Sequence, residues 1–157
     1  MRVRHLIALP KTQTSDTNWR QDDMPPRACP IFPRSRPSRA GWEWRSIKAV
    51  AGEKEFTLVA LANLRRGDFK ATLIIKTATG HAVVSRFEYH SSHPGVHAHG
   101  DCRRSGLEEG ATGMDGLIRI PSAASRHRRV AAVTRSTFWT SARSFFHVQD
   151  DFGPLFK

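Results

Sequence analysis

Between Glu55 and His90, apolar and polar residues alternate in three successive runs, and this constrains the fold more than any other feature of the chain. In the run Phe69–Thr77, the side chains of Phe69, Ala71, Leu73 and Ile75 fall on one side of an extended backbone. Lys70, Thr72 and Lys76 fall on the other. A period of two is the signature of a strand, because successive Cβ atoms point to opposite faces. Glu55–Leu64 places Phe56, Leu58, Ala60, Ala62 and Leu64 together, with Thr57, Val59 and Leu61 opposite. In His81–His90 the same count groups Val83, Phe87 and Tyr89 against Arg86, Glu88 and His90. Trp42–Val50 reads as a further strand ahead of them.

The breaks between these runs are short. Ala51-Gly52-Glu53-Lys54, Arg65-Arg66-Gly67-Asp68 and Ala78-Thr79-Gly80 are turn sequences. Strands joined by connections this short pair antiparallel with their neighbours in order. Downstream, Leu117–Ile120 is a short strand stopped by Pro121, and Ser122–Val133 opens a helix. Phe138, Ala142 and Phe145 recur at helical spacing, which predicts an amphipathic helix over 136–148 with Ser136 as its N-cap. Strands first and helices last argue an α+β class. The expected fold is an antiparallel β-meander of four to six strands with one or two C-terminal helices packed on it.

Residues 1–40 contrast with this. Pro10, Pro25, Pro26, Pro30, Pro33 and Pro37 recur among Arg27, Arg34, Arg36 and Arg39, and the few apolar residues show no period. This composition predicts a disordered basic tail, because burial does not offset the entropy of ordering it. The expected division is a tail over 1–40 and a single domain over 41–157, and Met24 is a second place where the chain can start. The hydrophobic fraction of 39% is below the ~45–50% of an average globular chain, so polar stretches must stay outside the core.

The formal charge of +11 suits RNA or DNA as a partner. Arginine outnumbers lysine, however, and compositional bias alone produces such a balance. Two cysteines, Cys29 and Cys102, make no disulfide framework. No apolar run approaches the ~18 residues of a membrane span, so the expectation is a cytoplasmic protein with no membrane partner.

The window Glu88–Cys102 concentrates the chemistry. It holds His90, His93, His97 and His99, four of the eight histidines, and closes on Asp101 and Cys102. If Val96–Asp101 is extended, His97, His99 and Asp101 project from one face, while Val96 and Ala98 face the core. Pro94-Gly95 is a turn able to fold the pair back on His90 and His93. Imidazole, thiolate and carboxylate ligate divalent metals, zinc or manganese among them. His93, His97, His99 and Cys102 are the candidate ligands, and His97, His99 and Asp101 the candidate catalytic residues. Three ligands and an open position would activate a water for phosphodiester hydrolysis; four would make a structural site.

His97-Ala98-His99 resembles the histidine–hydrophobic–histidine motif of rolling-circle and relaxase nucleases, over those three residues alone. Tyr89, the only tyrosine, lies on the strand just before and does not fit their nucleophile. The cupin spacing is not met by Gly95 and Glu108, and neither family is assigned. Arg86, Arg103, Arg104, Arg128 and Arg129 are candidate phosphate contacts. Arg86 and Glu88 would orient a phosphate or a ligating imidazole, or form an ordinary charge pair. Trp42 and Trp44 share a face, suited either to packing or to stacking on a base. Two function classes therefore stay open: a metal-dependent phosphodiesterase or nucleic-acid-binding protein, and a non-enzymatic accessory or protein-interaction domain.

Overall fold

The computed structural model describes residues 3–32, 34–90, 93–100 and 133–150, with 93–95 described by backbone alone. The expected strand Leu117–Ile120, the expected helix over 122–133 and the glycine-rich stretch before them lie outside those residues. The class is α+β. The elements run α1 (Val3–Ala8), β1 (Lys11–Asp16), β2 (Trp42–Ala51), β3 (Lys54–Asn63), β4 (Asp68–Lys76), β5 (His81–His90), β6 (His93–His99), α2 (Arg135–Phe145) and β7 (Val148–Gln149).

Among the described residues one seven-stranded sheet holds all the strands, in the order β6-β5-β4-β3-β2-β1-β7. From β1 to β6 all pairs are antiparallel, so the expected meander is present from β2 to β6. The β1–β7 pair is parallel, which makes the sheet mixed and larger than the expected four to six strands. Tight turns carry the hairpins. Gly52 adopts φ +58° between Ala51 and Lys54, a conformation that favours a residue without Cβ.

The sheet has one face under the helices. Phe56, Leu58, Ala60, Ala62, Phe69, Ala71, Leu73 and Ile75 are buried there, as their alternation predicts. Helix α2 covers them with Phe138, Trp139 and Ala142, and the Phe138 ring stacks on Phe69 at 5.4 Å and contacts Phe87 at 5.6 Å. The helix begins two residues earlier than an N-cap at Ser136 would set it. Thr134 is the N-cap, accepting from the Thr137 N–H while the Thr137 hydroxyl accepts from the Thr134 N–H. It also stops short of 148, because His147 turns to φ +52° and Val148–Gln149 leave as β7.

The tail expected over 1–40 is corrected. Val3, Leu6 and Ile7 sit at i, i+3 and i+4 on α1 and are buried in the same core. A six-residue helix has little stability of its own; its packed stripe holds it. β1 is polar in sequence, and its backbone pairing with β2 and β7 keeps it in place. The two elements are tied by Lys11, whose Nζ donates to the carbonyls of Ile7, Leu9 and Phe146 at 3.1, 2.8 and 2.9 Å. Burial lowers its pKa to about 8.

The second face carries Lys70, Thr72 and Arg86, yet part of it is covered. Met24, Ala28, Cys29, Ile31 and Phe32 lie over Trp44, Val59, Leu61 and Ile74. The proline-rich stretch therefore covers apolar surface. Burial raises the Cys29 thiol to about 11, which makes it inert as a nucleophile at neutral pH.

A register shift between Leu73 and Ile74 adds one residue to β5. Ala82 and Val84 consequently join Phe87 in the helix-side core, and Val83 turns to the second face beside Ile31 and Phe32. The simple count that grouped Val83 with Phe87 fails because a bulge reverses the alternation.

Candidate metal centre on the β5–β6 hairpin

β5 and β6 form the edge hairpin of the sheet, with Arg86 opposite His99, Glu88 opposite His97 and His90 opposite His93. Phe87 and Ala98 point into the helix-side core, 4% and 1% exposed. Their neighbours at one-residue offset must then project from the second face, which brings Arg86, Glu88, His97 and His99 together. Lys70 on β4 is paired with Glu88 and extends the group inward.

Glu88 is the centre of the group, its side chain 12% exposed. Its Oε1 lies 2.5 Å from Arg86 Nε and 3.7 Å from Lys70 Nζ. Its Oε2 lies 3.6 Å from His97 Nε2 and 3.4 Å from His99 Nε2. The carboxylate therefore divides its oxygens, one toward cations and one toward imidazoles. The His97 ring meets His90 at 4.9 Å and His99 at 5.0 Å, both edge-on. One donor atom each from Glu88, His90 and His97 falls within 4.8 Å of the others. His97 is the most enclosed of the histidines here, 8% exposed.

The Glu88–imidazole separations of 3.6 and 3.4 Å are close to the spacing of two ligands on one ion. An ordinary N–H···O bond is ~2.7–3.2 Å long, shorter than either Glu88–imidazole separation. Two ligands on a tetrahedral ion with bonds of about 2.1 Å stand about 3.4 Å apart. Two imidazoles and one carboxylate are a donor set that zinc and manganese both accept. The group can hold a divalent ion, with Arg86 and Lys70 beside it as anion contacts. Burial lowers the pKa of both cations, and for Lys70 the neighbouring Arg86 charge adds to the effect. Ser85 Oγ donates to the His99 carbonyl at 2.7 Å, which pins β6 in register beneath the cluster.

Of the residues expected from sequence, His97 and His99 are brought together, and Arg86 joins them. His93 takes its backbone place opposite His90. Asp101, Cys102, Arg103, Arg104, Arg128 and Arg129 lie outside the described residues. Glu88 and His90 were not among the expected ligands. Their signal was their position at i and i+2 on the face opposite Phe87, which becomes a site only when the hairpin lays β6 alongside.

No family model matches this chain, nor does any curated protein or solved structure. No helix among the described residues is long and apolar enough to cross a membrane.

Proposed function

We propose that Glu88, His90 and His97, with His99 at their edge, hold a divalent metal ion, zinc or manganese, and that the protein hydrolyses phosphodiesters of RNA or DNA. The observation that carries this is the convergence of three donor atoms within 4.8 Å beside two partly buried cations, Arg86 and Lys70. A metal with three protein ligands keeps a position for water and lowers its pKa to ~7. A metal held there would supply such a water as the nucleophile, with its proton passing to solvent, and His99, beside the three ligands rather than among them, would be the group placed to give a proton to the leaving oxygen. Arg86 and Lys70, both beside Glu88, would supply positive charge to the phosphoryl oxygens, the role preorganised cations play in such transfers. The formal charge of +11 favours a polyanionic substrate.

The Arg86–Glu88 contact at 2.5 Å favours a second reading. A carboxylate held this way can be a closed ion-pair network that needs no metal, in a protein that acts as an accessory or interaction domain. Metal content of purified wild type, Glu88→Gln and His97→Ala, followed by zinc and manganese titration calorimetry, separates the two. The expected result is near-stoichiometric metal in wild type and loss in both variants, with affinity falling at low pH as protons compete for the imidazoles. Hydrolysis of a simple phosphodiester, stopped by chelator, completes the test. Negligible metal in all three proteins overturns the metal centre, and bound metal without hydrolysis leaves a binding role.

A further inference from the structure

Across the second face, cross-strand partners line up in one row. Trp44 on β2 is opposite Leu61 on β3, Leu61 opposite Lys70 on β4, Lys70 opposite Glu88 on β5, and Glu88 opposite His97 on β6. Strands lie ~4.8 Å apart, so Trp44 and Glu88 are separated by three steps, about 14 Å. At the Trp44 end of this row a cavity of about 260 Å³ opens between the sheet and the segment 36–39. Arg36, Arg39, Trp42, Trp44 and Lys70 line it. The cavity and the candidate metal centre thus share Lys70, which lines the one and pairs with Glu88 in the other.

The lining is cationic and aromatic. Two carboxylates reach the cavity, and both are already neutralised. Asp22 pairs with Arg20 at 2.5 Å, and Glu43 accepts from Gln21 at 2.9 Å and from Arg135. Among the described residues no carboxylate pairs with Arg36 or Arg39. Trp44 is committed to the fold: its ring is buried and its Nε1 donates to the Asp22 carbonyl at 2.7 Å. Trp42 differs. It is half-buried, lines the cavity, and among the described residues its ring has no aromatic or cationic partner.

The wall opposite is built rather than loose. The Trp42 N–H donates to the Arg39 carbonyl at 2.9 Å, the Ser38 N–H to Asp23 Oδ1 at 2.8 Å, and Met24 and Arg36 exchange two backbone bonds of 2.9 Å. Arg36 rests over the Phe32 ring at 4.3 Å. A volume just under the ~300–1,000 Å³ of drug-sized pockets is ample for one base.

We infer that this cavity is a binding subsite for single-stranded nucleic acid: one base stacks on Trp42, Arg36 and Arg39 hold the flanking phosphates, and the strand passes Lys70 toward Glu88 and His97. The choice of nucleic acid as ligand rests on the phosphodiesterase reading of the neighbouring cluster. The subsite adds the strandedness of the substrate and the residue that senses it. Duplex DNA cannot present an unstacked base to a pocket of this size. A sugar-phosphate chain of a few nucleotides spans the distance to the cluster.

The test is fluorescence anisotropy with short labelled oligothymidylate, oligouridylate and a duplex of the same length, in chelator so that nothing is hydrolysed. Wild type is expected to bind at least one of the single strands and to bind duplex more weakly; preference between the two identifies the sugar. Stacking on an aromatic side chain is typically worth enough that Trp42→Ala weakens binding roughly tenfold, while Trp42→Phe keeps most of it. Arg39→Ala is expected to lower the slope of log affinity against log salt by about 1. Thermal melts establish that each variant is folded. Equal binding by wild type and Trp42→Ala, or duplex bound as tightly as single strand, overturns the subsite. So does wild-type protein that holds metal yet binds neither oligomer, a result that leaves the metal centre standing. Binding through Trp42 in a protein that holds no metal supports the subsite and overturns the hydrolytic function.

Discussion

Lys11→Met removes a buried cation and keeps most of its stem. The wild-type ammonium has three N–H donors and three carbonyl partners, at the end of α1 and at the α2–β7 junction, and it lies 5.0 Å from the centre of the Phe56 ring. Methionine donates nothing, so all three carbonyls lose a partner. Two of those bonds are buried, and a buried acceptor left alone costs ~1–3 kcal/mol, which gives about 4 kcal/mol for the pair. The variant also relieves the burial of charge that lowers the wild-type pKa to about 8. At ~1.4 kcal/mol per unit, and discounted for partial solvent screening, that relief offsets about 2 kcal/mol at neutral pH. The net loss is about 2 kcal/mol, or a fall in Tm of about 4–8 °C for a chain of this size.

The pH dependence has a definite sign. Between the folded value of about 8 and the unfolded value near ~10.4, the unfolded chain binds a proton that the folded one does not. Wild-type stability at this residue therefore rises as pH climbs through that window. Methionine has no such term, so the gap between the two proteins should widen toward about 4 kcal/mol by roughly pH 10. Urea denaturation of both proteins from neutral to alkaline pH measures this. A methionine variant as stable as wild type at neutral pH refutes the role of the three bonds. A gap that stays constant with pH refutes the lowered pKa.

Two further outcomes follow from the core. Phe138→Ala empties the stack between Phe69 and Phe87 beneath α2 and should lower unfolding stability by ~3–5 kcal/mol in denaturant melts; a loss below about 1 kcal/mol would mean that the helix does not pack there as described. A chain begun at Met24 lacks α1, β1 and Lys11, and so uncovers the side of the core that Val3, Leu6 and Ile7 close. It should show a broad or absent cooperative melt, whereas a sharp wild-type-like transition would mean that residues 1–23 are dispensable.

The candidate site was legible in part. The alternation of β5 places Glu88 and His90 opposite Phe87, and the Val96–His99 pattern does the same for His97 and His99, so which imidazoles share a face can be counted from sequence. Which carboxylate joins them cannot. Asp101 is nearest along the chain, but in the described hairpin Glu88 is the partner, because register places it directly across from His97. A one-residue slip would turn one row of side chains to the other face. The Trp42 cavity was still less legible, since its far wall comes from residues 36–39, in a stretch whose composition shows no period.

By itself the sequence determined the central meander, the packed stripe of α2 and the class of the fold. Each is a local regularity of period two or 3.6, and such regularities bury one face without reference to distant residues. Tertiary structure alone decided the place of the first forty residues, the parallel β1–β7 pair and the bulge that turns Val83 away from Phe87. Those depend on partners more than a hundred residues apart or on one extra residue in a ladder. Lys11 shows the difference most clearly: a lysine reads as surface until three carbonyls, one of them 135 positions away, surround it.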